Sequence, residues 1–255
     1  MYCKLCGGSG PLQVSHILSK FVYKPLKADD GRIYVLSSDP KQKTYKIQDG
    51  VKEKLLCVGC EQKRSRWETY VSNKWHRGEL DSDTDPYQIT GLDYAAFKLF
   101  LLSTLYMAHL SDHGMFREVK LDTVRHFKLR WMLQNSDPGE SDEFGCCMFA
   151  LEEEELDTKQ FIDKAVSTII RKGENEAEAP GNIPPTRGDL VAHRFVFGGF
   201  LWTFLEPLGI QLSEDVKRFF ISKDGTITVR KKKIRDLPFI MESIFEFHRL
   251  GKLNI

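Results

Sequence analysis

Cys3-Lys4-Leu5-Cys6 and, 50 residues further on, Leu55-Leu56-Cys57-Val58-Gly59-Cys60-Glu61 are the stretches on which the reading of this chain turns. Each Cys-x-x-Cys pair sets two thiolates on one tight turn. Two such pairs supply the four sulfur ligands that a tetrahedral Zn²⁺ takes at about 2.3 Å each. Gly7 follows the first pair and Gly59 lies within the second, which lets the backbone wrap closely around an ion. The alternatives are disulfides, which an intracellular chain seldom keeps, or four unrelated buried thiols. The pairing favours a structural zinc site formed by Cys3, Cys6, Cys57 and Cys60.

Charge is distributed unevenly around these pairs. The 255 residues hold 37 Lys and Arg against 36 Asp and Glu, a net charge of +1. Residues 1–77 alone carry 15 bases against 7 acids, or +8, which leaves −7 for the other 178. The whole chain is therefore no polycation, but its first third has the footprint of a polyanion-binding module. With 41% hydrophobic and 11% aromatic residues the chain can build a proper core, so general disorder is excluded. The length fits one large domain or two modest ones. Met1–Cys6 lacks the apolar core of a signal peptide, and the most apolar run, Tyr94–Leu110, is interrupted by Lys98 and falls short of a membrane span. The expectation is a soluble, cytoplasmic protein without membrane contact.

Periodicity predicts a short helix around Ser19–Leu26, strands at Arg32–Leu36 and Thr44–Ile47, and a helix over Glu61–Trp75 with Trp67, Tyr70, Val71 and Trp75 on one side. Residues 78–91 are acidic and turn-rich and read as a linker. A buried helix follows over Leu92–Leu110, then an amphipathic one over Asp122–Gln134 with Asp122 as its N-cap. Cys146–Leu151, Ala192–Phe204 and Phe219–Val229 read as strands, with Lys223-Asp224-Gly225-Thr226 as a hairpin turn and Gly173–Gly188 as an exposed loop. The fold class is α+β: an N-terminal treble-clef or ββα-metal zinc module over 1–77, the linker, and a mixed helix-and-strand domain over 92–255 that serves recognition or partner docking.

Between the two Cys pairs lies Ser15-His16-Ile17, followed by Lys20-Phe21-Val22-Tyr23-Lys24. A Cys-x-x-Cys, a short strand ending in His-Ile, and a Leu-Leu-Cys-x-x-Cys leading into a basic helix together resemble the zinc-stabilised HNH endonucleases. The resemblance is nearer to bacterial HNH-annotated proteins with this Ser-His-Ile…Lys-Phe-x-Tyr-Lys stretch, and it covers about residues 1–77. It implies a metal-dependent endonuclease hydrolysing DNA, with a role in bacterial defence against foreign DNA. His16 would be the general base, and Glu61 a ligand to a catalytic Mg²⁺ or Mn²⁺. The chain departs from the family at Ser15, where Asp or His is usual. It departs again near Lys52, where the middle Asn would fall and only Gln48 or Asp49 lie close. His16 as a structural residue bridging strand and helix stays open beside the catalytic reading.

Lys20, Lys24, Lys63, Arg64 and Arg66 are the candidate phosphate contacts, with Lys27, Lys52 and Lys54 nearby. Tyr23, Trp67, Tyr70 and Trp75, interleaved with them, read as core. The rival function is a non-catalytic zinc-stabilised adaptor that binds nucleic acid or a partner protein. Elsewhere, His109-x-x-x-His113 has a metal-compatible helical spacing without the glutamate of a zinc protease. Cys146-Cys147 read as packed thiols, Glu152–Glu155 as solvated charge, and Lys231-Lys232-Lys233 as a solvated strand end.

Overall fold

The computed structural model describes residues 1–36, 41, 43–153, 158–170, 189–208 and 211–252. Strand β1 (Leu12–His16) leads into a single 3₁₀ turn, Lys20–Tyr23, and then into β2 (Ile33–Val35), β3 (Tyr45–Ile47) and β4 (Lys52–Cys57). Helix α1 (Val58–His76) follows β4 without a break, and β5 (Tyr87–Ile89) and α2 (Tyr94–Leu110) come next. The second half runs α3 (Thr123–Asn135), β6 (Gly145–Glu152), β7 (Asp163–Ile170), β8 (Asp189–Phe197), β9 (Phe200–Leu208), α4 (Glu214–Lys217), β10 (Ile227–Lys233) and α5 (Pro238–Arg249). The architecture is mixed α and β, as the patterning predicts.

β1 and β4 pair antiparallel, with an irregularity between Gln13 and Val14, and β2 and β3 form a second small ribbon. The other six strands form one sheet in the order β5-β10-β6-β9-β8-β7, in which only β10 and β6 run parallel. β6, β8 and β9 are mostly apolar on both faces because both faces are covered, with His193, Arg194, Thr203 and Glu206 the buried polar side chains among them. Met148, Phe195, Phe197, Trp202 and Phe204 face the cluster containing α1 and α2, while Phe149, Leu190, Val196 and Leu205 face the cluster containing α4 and α5.

The helix starts follow from sequence. Asp93 caps α2 by accepting from the Ala96 N–H at 2.9 Å, and Asp122 caps α3 by accepting from the Arg125 N–H at 2.9 Å. Lys98, the charge that interrupts the apolar run, is buried within α2. It donates to the carbonyl oxygens of Ser141 (2.9 Å) and Phe144 (3.3 Å), and burial pulls it down to about 8.

Four stretches differ from the sequence reading, each for a physical reason. Ala192–Phe204 is not one strand: Gly198 and Gly199, at φ +63° and +84°, turn the chain back between β8 and β9. Both positions need the left-handed region that glycine supplies without strain. Ser19–Leu26 yields only the 3₁₀ turn, since Pro25 cannot continue a helix. The Asp224-Gly225 turn forms, with Gly225 at φ +80°, but the extended chain starts only after it, at Ile227, and continues to Lys233. Finally, residues 78–91 contribute β5, an edge strand paired with β10. The predicted loop at 173–188 lies outside the described residues.

One apolar cluster runs from Cys3 and Leu5 through Trp67 and Val71 to Phe97, Trp202 and Val229. Trp75 stacks on Trp202 at 6.3 Å and meets Phe200 edge-on at 5.3 Å. Packing is thus continuous across residue 77.

Candidate metal centre and the His16 corner

The two Cys pairs converge. The sulfur atoms of Cys3, Cys6, Cys57 and Cys60 all lie within 4.8 Å of one another, and Cys6 Sγ and Cys57 Sγ are 3.7 Å apart. A tetrahedral ion with bonds of about 2.3 Å separates its sulfurs by roughly 3.8 Å, so the spacing suits a metal such as zinc. Local chain geometry makes the site. The Cys3 N–H donates to the Gly8 carbonyl and the Gly7 N–H to the Cys3 carbonyl, both at 2.9 Å, closing the first turn. Gly7 sits at φ +76° with Arg130 close behind it. In the second pair, Cys57 is the N-cap of α1 and Cys60 lies in its first turn.

Amide groups already favour thiolates here. The Cys57 N–H donates to Cys3 Sγ at 3.3 Å and the Gly8 N–H to Cys6 Sγ at 3.4 Å. Burial opposes ionisation of Cys3, but the amides of Cys57, Cys6 and Leu5 outweigh it and bring the thiol down to about 7. At Cys6 the Gly8 amide is outweighed by burial and the Cys3 and Cys57 thiols, which raise it, and burial with the neighbouring thiols likewise raises Cys60. A bound cation would reverse that, since coordination deprotonates a thiol outright.

Beside the β1–β4 pair, Ser15, His16 and Glu61 come together with Arg64. Ser15 is fully buried, and its hydroxyl donates to Glu61 Oε2 at 2.7 Å. Arg64, predicted to touch phosphates, is only 2% exposed and faces inward. Its guanidinium donates to the carbonyl oxygens of His16 (2.7 Å) and Ile17 (3.1 Å). It also pairs with Glu68 at 2.7 Å and lies 3.8 Å from Glu61. Glu68 in turn accepts from the Ser19 hydroxyl at 2.6 Å. The cation thus ties α1 to the end of β1 and is spent on that task. The signal was in the sequence: Glu61, Arg64 and Glu68 follow at i, i+3 and i+7, the spacing of ion pairs along one helix face.

His16 is half-buried, and its Nε2 is buried without a hydrogen-bond partner. Burial first, then the Lys52 ammonium across the ladder, pull it down to about 4, with Asp49 opposing. The imidazole is therefore neutral at pH 7. Tyr23 lies beside it, ring centroids 6.1 Å apart.

The hard divalent ion implied by the resemblance does not fit this corner. Its carboxylates are already engaged: Glu61 accepts from the Ser15 hydroxyl and faces the Arg64 guanidinium, and Glu68 is paired with that guanidinium and with the Ser19 hydroxyl. Asp49 is engaged by Lys52 at 2.7 Å and Lys27 at 3.5 Å. Mg²⁺ and Mn²⁺ ask for several oxygen donors and no resident cation.

The remaining basic candidates divide. Lys63 is turned towards α3 and donates to the Gln134 carbonyl at 2.5 Å, so it is not a free surface cation. Lys20, Lys24 and Arg66 are exposed. The His109/His113 pair separates: His109 Nε2 meets His126 Nδ1 at 3.0 Å, while His113 lies beyond the helix end and accepts from the Met115 N–H. Cys146 and Cys147 are buried in the sheet. Lys231 Nζ pairs with Glu152 at 2.6 Å. Among the described residues no helix is long and apolar enough to cross a membrane. Comparison with family models, curated proteins and solved structures finds no match to this chain.

Proposed function

We propose that this chain is a zinc-stabilised adaptor of treble-clef type that binds nucleic acid through its backbone phosphates and does not hydrolyse it. The observation that carries this reading is Arg64: a buried guanidinium stands beside Glu61, where a ββα-metal nuclease would keep its divalent ion. Lys20, Lys24 and Arg66, exposed on a segment of net charge +8, are the phosphate contacts.

A second reading, an HNH-type DNA endonuclease with a defence role, draws support from His16. Its neutral imidazole has an unpartnered buried nitrogen, as a general base awaiting a proton would. One experiment separates the two. Zinc-loaded protein is titrated with duplex DNA at several salt concentrations, and plasmid nicking is followed with Mg²⁺ and Mn²⁺. The adaptor reading expects affinity that falls steeply with salt, weakening of at least tenfold in Lys20→Glu/Lys24→Glu/Arg66→Glu, and no nicking. Metal-dependent nicking that disappears in His16→Ala with zinc retained would establish the nuclease instead. Absence of DNA binding at low salt would remove the nucleic-acid assignment.

A further inference from the structure

Arg194 and Thr203 lie directly opposite each other on β8 and β9, on the sheet face turned towards α5. Their neighbours on that face, Ala192, Val196, Leu201 and Leu205, are apolar and buried. Arg194 is 8% exposed and Thr203 fully buried, yet Arg194 Nε, Arg194 Nη2 and Thr203 Oγ1 have no hydrogen-bond partner. No described carboxylate pairs with this guanidinium, and burial alone pulls it down to about 10. A charged group held in an apolar layer without a counterion is costly, and its persistence asks for a missing partner.

α5 starts at the same place. Its second residue, Phe239, lays its ring against the Arg194 guanidinium, 5.7 Å from centroid to carbon. The helix begins with Pro238 after Leu237, which gives no side-chain cap, and the first turn holds no acid. Of the first-turn positions, Pro238 has no N–H and the Ile240 and Met241 N–H groups both donate to the Leu237 carbonyl (3.0 and 3.1 Å), so the donor that the start of α5 adds beside Arg194 and Thr203 is the Phe239 N–H. Among the described residues no acceptor is recorded for Arg194 Nε or Nη2.

We propose that Arg194, Thr203 and the N-terminus of α5 form a binding site for a small oxyanion, a phosphate or a carboxylate. A planar fork, a hydroxyl and a helix N-terminus are the donors that such groups take together. The site is separate from the cysteine centre and does not depend on the nucleic-acid reading.

The test is a thermal melt of the zinc-loaded full chain in phosphate, in acetate and in chloride at matched ionic strength. Saturating anion raises the melting temperature by about 4 °C over chloride. A rise with phosphate alone assigns a phosphate ligand, and one with acetate alone assigns a carboxylate. Arg194→Leu abolishes the rise and, without anion, melts no lower than wild type, because an unpaired buried charge has been removed. Lys20→Glu/Lys24→Glu keeps the response, which distinguishes this site from the cationic surface of residues 1–77. Should Arg194→Leu fail to fold, Thr203→Val with ³¹P line broadening of added phosphate reads the same site. Identical melts in all three salts, or an undiminished response in Arg194→Leu, would overturn the proposal.

Discussion

Cys57→Ser, or removal of metal with a strong chelator, is expected to unfold the first 77 residues. A shared ion would add four metal–sulfur bonds to what already joins the two Cys turns, namely the Lys4 N–H to Leu55 carbonyl bond at 2.9 Å and the burial of Cys3 and Leu5 in the core. Binding free energy at such a site is folding free energy, on the order of 10 kcal/mol, comparable to the whole stability of a domain. Freshly purified protein should contain about one zinc per chain. Far-UV circular dichroism and limited proteolysis should then report loss of α1 in the variant. Retention should also weaken as pH falls, since four thiols must give up protons to bind the ion. Zinc-free protein that remains fully folded would refute the centre.

Trp202→Ala should cost about 4 kcal/mol, the range for emptying a large aromatic site in a packed core. Trp202 is completely buried and lies within 6.5 Å of the rings of Trp75, Phe97, Phe100, Phe197 and Phe200. Its neighbours come from α1, α2 and the β8–β9 turn, so the cavity cannot close by shifting one element. Chemical denaturation should show the loss as a single transition shared by both halves. A variant within 1 kcal/mol of wild type would mean that this aromatic cluster is not the joint between them.

What was legible in the sequence, and what was hidden, follows the range of the forces involved. The convergence of Cys3, Cys6, Cys57 and Cys60 could be read directly because ligand spacing is local and chemically specific. The Asp122 cap and the buried course of α2 were similarly visible, while Asp93, which caps α2, fell inside a helix read as starting at Leu92. The Gly198-Gly199 reversal was masked by apolar residues on either side, which continue the strand pattern through the turn. β5 was hidden for the opposite reason: Tyr87-Gln88-Ile89 is too short to signal a strand until β10 pairs with it. At the candidate site, Glu61 and His16 were singled out by resemblance alone. Arg64 was misassigned to the surface because a cation on a basic helix looks solvated until its two carbonyl partners from β1 are seen.

The pairing of β5 with β10 bears on the order in which the molecule can be made. Tyr87 is opposite Val229, so the strand has no partner until about 140 further residues have left the ribosome. At 5–20 residues per second that is a delay on the order of ten to thirty seconds. The last of the four clustered cysteines, by contrast, is residue 60, so all four candidate ligands are made within the first quarter of the chain. The indole of Trp75 must then wait for Phe200 and Trp202 to arrive. During synthesis the chain therefore passes through a stage in which all four cysteines are made while the aromatic flank around Trp75 is still uncovered.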